Sequence, residues 1–217
     1  KGFYDGLRAE GETDIMSLVR CAWAGSQKYG VLTWSGDIYS SFRAMQEQLQ
    51  AGLNMGIAGI PWWTSDIGGF LGGDISDPAF RELLVRWFAW GAFCPVFRMH
   101  GERSPWHERE QEFRNGVRQL TSGQDNEVWS FGEDNYEILK KYLFIRENLR
   151  PYIRTCMQQA SESGSPVMRP LFYDFPEDPA SWEVEDSYMF GPDLLVSPVM
   201  EAGADSRTIY LPRGAQW

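Results

Sequence analysis

The 217-residue sequence predicts an α/β fold: the second half of a parallel (β/α)8 barrel, followed by the first strands of an all-β sandwich domain. Apolar runs alternate with helical patterns from Ile15 to Gly101, the signature of parallel β/α units whose strands are covered on both faces. Three of these runs end in a polar group: "GVLTWSGD" at Asp37, "GIAGIPWWTSD" at Asp66 and "GAFCPVFRMH" at His100. From Ser165 the helical periodicity gives way to short runs broken by Pro, Gly and Asp. Such runs predict strands joined by turns.

The elements follow in order. "SLVRCAWAG" and "YGVLTW" are short, glycine-bounded strand candidates. "SSFRAMQEQLQAG" spaces Phe42, Met45 and Leu49 on one helical face, with Ser40 or Ser41 as N-cap and Gly52 near the C-terminal end. "GIAGIPWW" reads as the third strand. In "DPAFRELLVRWFAWG", Asp77 is the N-cap, Pro78 takes the first helical position, and Phe80, Leu83, Leu84, Trp87 and Phe88 form the buried stripe. "AFCPVFRMH" closes the series. About four strands stand against the eight of a closed barrel. A doubly wound sheet is the rival, but no glycine-rich phosphate loop supports it. A long helix is predicted over about 135–163, opened by an Asp134/Glu137 capping box, kinked at Pro151 and stopped at Gly164. "PVMRPLFYDFP", "DSYMFG", "LLVSPVM" and "RTIYLP" read as strands, which places the domain boundary between residues 164 and 165. The opening at Lys1 and the ending "YLPRGAQW" suggest a piece of a longer protein.

Composition narrows the function. Hydrophobic residues make up 43% and the net charge is −10, so a packed globular chain is expected, with neither nucleic acid nor an anionic membrane as partner. No apolar run reaches the length of a membrane helix. Cys21, Cys94 and Cys156 are widely spaced and read as buried thiols, not as a disulfide framework or a zinc site. Ten tryptophans suit a heavy core or stacking surfaces for sugar rings; Trp62, Trp63, Trp87 and Trp90 are assigned to the core.

Catalytic groups of a parallel barrel gather where its strands end. Asp37, Asp66 and His100 are therefore expected within about 10 Å of a common point, the scale of a small-ligand pocket. Arg20 and Arg98 join them. Acids lined by His, Arg and Trp suit glycoside hydrolysis, in which one carboxylic acid protonates the leaving oxygen and a second carboxylate stands opposite. The bland alternatives are a helix cap for Asp37, a turn residue for Asp66 and a carboxylate partner for Arg98, the last being preferred. His100 and His107 lack a third metal ligand; His107 is placed on a surface loop. Asp74 and Asp77 could imitate a calcium loop, but capping already accounts for Asp77. "HGERSPWHEREQEFR" is read as a solvated loop.

The blocks "AWAGSQKYGVLTWSGDI", "GLNMGIAGIPWWTSDIGGF", "GAFCPVFRMHG", "MRPLFYDFP" and "YMFGPDLLVSPV" also resemble those of glycoside hydrolase family 31, the retaining α-glucosidases and α-xylosidases, in family order and across the whole chain. The resemblance implies that Asp37 is the catalytic acid/base. It further implies that Arg20, Asp66 and His100 bind hydroxyls of the −1 sugar, and that Trp34 and Phe70 line its subsite. The family's nucleophilic aspartate would precede Lys1, on the missing N-terminal half of the same protein. The expected function is retaining α-glycoside hydrolysis at non-reducing-end α-linked sugars, of α-glucosidase type. The alternatives are an α-xylosidase and, from another class, a non-catalytic carbohydrate-binding protein. An acid and a nucleophile suffice, so no cofactor is implied. A general acid must hold its proton near neutral pH, so apolar or acidic neighbours are expected around Asp37.

Overall fold

A computed structural model describes residues 1–105 and 123–217, together with the backbone of 113–114 and 117–118. A short helix, α1 (Gly2–Ala9), precedes a three-stranded sheet of order β1-β2-β3, built from Ser17–Val19, Val31–Trp34 and Trp63–Thr64. Both pairings are parallel, with Leu18 opposite Leu32 and Thr33 opposite Trp63. Helix α2 (Phe42–Ile57) connects β2 to β3 as a crossover, the connection that a parallel pair requires. Ser41 is its N-cap, accepting a hydrogen bond from the Ala44 amide. Helix α3 (Pro78–Gly91) starts as predicted, with the Asp77 carboxylate accepting from the Ala79 amide.

The third and fourth apolar runs pair less than the sequence suggests. Helix α2 continues to Ile57 and takes the start of "GIAGIPWW" with it, so the ladder begins only at Trp63. The fourth run, "AFCPVFRMH", forms no ladder. Pro95 has no amide hydrogen to donate, and the run follows the sheet through separate links: the Val96 amide to the Trp63 carbonyl, the Ile67 amide to the Arg98 carbonyl, and a parallel bridge between Ile67 and Met99. Gly52 also lies inside α2, away from its end. A Cβ there would stand 2.7 Å from the Trp63 ring, so the glycine lets α2 settle onto the sheet.

Beyond the strands a second tier of backbone pairing forms. The amides of Phe70 and Leu71 both donate to the Ile38 carbonyl, and the Ser40 amide donates to Leu71. The Glu102 amide donates to Phe70, and β4 (Gly73–Asp74) runs parallel to β5 (Arg103–Ser104). The loops that follow β2, β3 and the fourth run thus lie side by side at one end of the sheet.

The long helix is two. After a hairpin of β6 (Phe113–Arg114) and β7 (Val117–Arg118), α4 spans Glu133–Asn148 and α5 spans Arg150–Ser163, sharing Leu149 as a boundary. Pro151 sits in the first turn of α5, where its missing amide hydrogen costs nothing, and so it starts a new helix instead of kinking one. The Asp134/Glu137 capping box does not form. Gly132 is the N-cap of α4, and Asp134 falls in the first turn, where its charge suits the positive helix end. Gly164 ends α5 at a φ of 75°, as expected.

The last part is an antiparallel sheet of order β10-β9-β8: Met168–Pro170, Tyr188–Phe190 and Leu194–Val196 for β8, β9 and β10. "PVMRPLFYDFP" turns after β8 into a short helix, α6 (Leu171–Asp174). "RTIYLP" joins no ladder among the described residues; instead the Tyr210 hydroxyl and the Arg213 amide donate to the Asp178 carboxylate. One apolar cluster unites both parts, from Met45, Leu49, Trp63, Leu84 and Trp87 to Leu139, Ile153, Met168 and Phe190. Trp63, Trp87 and Trp90 are in the core as predicted, and Trp62 is half-buried. Cys94 and Cys156 are buried, but Cys21 is exposed, because it follows the edge strand β1 and nothing packs over it.

In a helix interior, glycine-to-alanine normally stabilises by roughly 1 kcal/mol. Gly52→Ala should do the reverse, because Trp63 is buried and its ring has nowhere to move. A loss of about 1–3 kcal/mol is expected from such overpacking. Urea unfolding of a polypeptide carrying the whole barrel measures it; a gain in stability would contradict the packing.

Candidate active site

Asp37 follows β2 by three residues, at the level of the second tier. Its carboxylate is exposed at 43% and forms an ion pair with Arg20, which follows β1. Apolar or acidic neighbours were the expectation; the structure adds a cation, because β1 and β2 are parallel neighbours and their ends coincide, while Asp66 is near enough for the two carboxylates to repel each other. Asp37 does not cap α2, since Ser41 holds that position. Two guanidinium groups lie close to the Trp34 ring, Arg20 at 5.6 Å and Arg98 at 5.9 Å from its centroid. Such contacts favour a flat, electron-rich ring beneath a cation.

Asp66 is fully buried. Its Oδ1 is paired with the Arg98 guanidinium, and its Oδ2 is buried without a hydrogen-bond partner. Burial pushes the carboxyl above the usual aspartate range; the Arg98 hydrogen bond and charge, and then His100, pull against that shift. Arg98 thus meets a carboxylate, as the sequence reading preferred. The Asp66 carbonyl also accepts from the Gly69 amide, so the residue opens a turn as well. Phe70 leaves this turn half-buried, and its ring lies 5.4 Å from the exposed His100 ring. The Phe70 amide bonds to Ile38, next to Asp37, at 2.8 Å.

These contacts chain Arg20, Trp34, Asp37, Asp66, Arg98, Phe70 and His100 along one end of the parallel sheet. None of them lines the cavity of about 810 Å³ between α3, α4 and residues 194–199. Asp74 is occupied by the amide and hydroxyl of Ser76, and among the described residues no group of three His, Cys, Asp or Glu side chains could hold a metal ion. His107 lies outside the described residues. Among these residues Asp37 has the form of a proton-transfer group: a carboxyl open to solvent at the mouth of the site.

The sequence reading missed Arg103. Its segment was taken for a solvated loop, yet Arg103 is fully buried and donates to the Ile67 carbonyl, the Gly69 carbonyl and Asn126 Oδ1. The usable signal was the glycine density of "IGGFLGG" and "HGER", which leaves room for a large planar group.

Comparison with known proteins identifies the family. Residues 1–156 match the family 31 glycosyl hydrolase TIM-barrel domain, and residues 164–217 match that family's C-terminal domain. The chain belongs to glycoside hydrolase family 31. It is accordingly part of the family's catalytic barrel followed by the start of its C-terminal domain. An α-xylosidase from Saccharolobus solfataricus is 35% identical over 217 residues, all of this chain and 27% of that protein. An uncharacterized family 31 glucosidase, ORF2, of Pseudescherichia vulneris is 72% identical over 105 residues, 48% of this chain and 20% of that protein. Among solved structures, a family 31 α-xylosidase from a soil metagenome, complexed with xylose, superposes with a TM-score of 0.94 at 61% identity. That match covers 98% of this chain and 31% of the other. The family 31 chain described here thus spans less than a third of these relatives.

Removing Arg98 would leave a buried family 31 carboxylate with neither oxygen partnered. Arg98→Met should cost about 3–5 kcal/mol at neutral pH. Arg98 holds the Asp66 pKa down, so its loss lets burial raise it further. The folded variant then binds a proton more readily than the parent, and its deficit is largest where Asp66 is ionised. Denaturant titrations should show the gap narrowing as pH falls through the raised pKa. A gap independent of pH would contradict the assignment.

Proposed function

We propose that this chain carries the acid/base side of a retaining α-glycosidase that acts on non-reducing-end α-linked sugars. The observation that carries the proposal is Asp37: a carboxylate at a parallel strand end, open to solvent, free of helix capping and, among the described residues, paired only with the exposed side chain of Arg20. An exposed ion pair is weakly held, and proton uptake by Asp37 dissolves it, freeing Arg20 for sugar hydroxyls. His100 donates to sugar hydroxyls, Trp34 with Phe70 forms the apolar wall of the −1 subsite, and the buried, unpartnered Oδ2 of Asp66 accepts from a hydroxyl once the side chains over it move aside for the sugar.

In the first step Asp37 gives its proton to the glycosidic oxygen as a second carboxylate attacks the anomeric carbon and the C–O bond breaks. In the second step Asp37 takes a proton from water, which attacks that carbon and releases the enzyme carboxylate. The two carboxyl groups of such a site stand about 5–5.5 Å apart. Asp66, locked by Arg98, is not the second one. We assign that group to a barrel strand lying beside β1, whose outward Leu18 is 42% exposed along an edge ready for pairing. The barrel part is taken as 1–164 and the β domain as beginning at 165.

An α-xyloside is the first substrate to test, on the strength of the α-xylosidase that is 61% identical across 98% of this chain. An α-glucoside is the second, supported by the glucosidase that is 72% identical over 105 residues. The choice depends on whether the pocket admits a C6 hydroxymethyl group.

In the longer polypeptide that carries this chain, Asp37→Ala should nearly abolish hydrolysis of glycosides with poor leaving groups. Activated aryl glycosides need little protonation and should lose far less rate in the glycosylation step. Single-turnover kinetics on both substrate types decide the matter, and equal losses would remove the acid role. Residues 1–217 expressed alone should be insoluble or inert towards aryl α-xyloside and α-glucoside, because open strand edges expose apolar surface. An active, cooperatively folding monomer would refute this.

A further inference from the structure

Among the described residues, Arg103 is a buried cation without a carboxylate partner. Its Nε donates to Asn126 Oδ1 at 2.8 Å, Nη1 to the Gly69 carbonyl at 2.8 Å and Nη2 to the Ile67 carbonyl at 3.0 Å. Burial draws its pKa down to about 10, while the charge of Asp66 acts in the other direction. A buried cation is an expensive way to fill space; an apolar side chain of similar volume would do that at least as well. What a guanidinium adds is a rigid planar fork able to hold two acceptors at once.

Those two acceptors bracket one turn. Ile67 follows Asp66 directly, and Gly69 closes back on Asp66 through its amide. Gly68 and Gly69 both have positive φ, 86° and 77°, so this backbone is set by what surrounds it. The surroundings are cut to the guanidinium. A Cβ on Gly68 would stand 3.0 Å from Nη2, and Cβ atoms on Gly73 and Gly101 would stand 2.9 and 2.5 Å from Nη1. The Phe80 ring of α3 lies 5.0 Å below the group.

We propose that Arg103 is a positioning residue: by holding the carbonyls of Ile67 and Gly69 it fixes the turn that aims Asp66 at the sugar. Arg103 itself touches no substrate. The proposal rests on the reading of Asp66 as a sugar-hydroxyl acceptor.

The test is a double-mutant cycle in the full-length polypeptide. Arg103→Met, Arg103→Lys and Asn126→Ala are made alone and combined with Asp66→Asn. kcat/KM is read on whichever aryl α-xyloside or α-glucoside the parent hydrolyses, and thermal unfolding checks folding. Displacing a site by about 1 Å costs up to roughly 100-fold, so Arg103→Met should lose roughly 10–100-fold. Arg103→Lys, which can still reach one carbonyl, should recover part of that loss. In the Asp66→Asn background the further loss should shrink to under about threefold, since coupled residues are not additive. If Arg103→Met does not fold, Asn126→Ala should show a smaller loss that likewise vanishes with Asp66→Asn. A folded Arg103→Met enzyme within twofold of the parent would overturn the proposal. So would losses that add in full to a costly Asp66→Asn, which leaves the reading of Asp66 intact. An Asp66→Asn enzyme with unchanged kcat/KM would overturn both.

Discussion

The loops that follow β2, β3 and the fourth run lie side by side because these segments run parallel, and the polar groups of the site take their places from that alignment. Pairing does not stop at Trp34 and Thr64. It resumes beyond them, where Ile38 accepts from Phe70 and Leu71, and Phe70 accepts from Glu102. Asp37 is held at one side of this tier and His100 at the other, with the Asp66 turn between them. In antiparallel strands the same residues would alternate between opposite ends of the sheet. The glycines of "IGGFLGG" belong to the same constraint: a Cβ on Gly69 would meet the Ser40 backbone at 2.6 Å, so the loops can approach only without a side chain there.

Within that frame, charge is distributed by burial. Arg20 and Asp37 form a pair at the mouth, where water screens it and partners exchange easily. Arg98 and Asp66 form a pair below, where Asp66 has no contact with water and the loss of one partner strands the other. The Trp34 ring contacts the cation of each pair. The lower carboxylate therefore keeps a fixed orientation, while the upper one can exchange its partner.

The segment after α3 is held from two sides, by a helix of the barrel part and by the C-terminal sheet. Arg146 of α4 donates to the carbonyls of Ala92, Cys94 and Pro95, and the Tyr188 hydroxyl of β9 donates to the Phe93 carbonyl. Both grip the segment that leads from α3 to Arg98 and His100. The helix pair and the following sheet thus hold the fourth run in place where its own ladder is absent.

Local pattern was enough to read the helices α2 and α3, their Ser41 and Asp77 caps, and the strand-end positions of Asp37, Asp66 and His100, because each depends on neighbours within a few residues. The resemblance of whole blocks, such as "TWSGDI" and "PWWTSDIGGF", added the family, which composition and periodicity could not supply. Only the tertiary structure decided the rest. The Arg20–Asp37 pair depends on which strands are neighbours, and the place of Gly52 inside α2 depends on how closely the helix packs on Trp63. Arg103 was misread for the same reason. A charged residue in a polar stretch looks solvated until the chain brings a ring of glycines, two carbonyls and an asparagine around it, and the carbonyls and the asparagine lie 23 to 36 residues away along the chain.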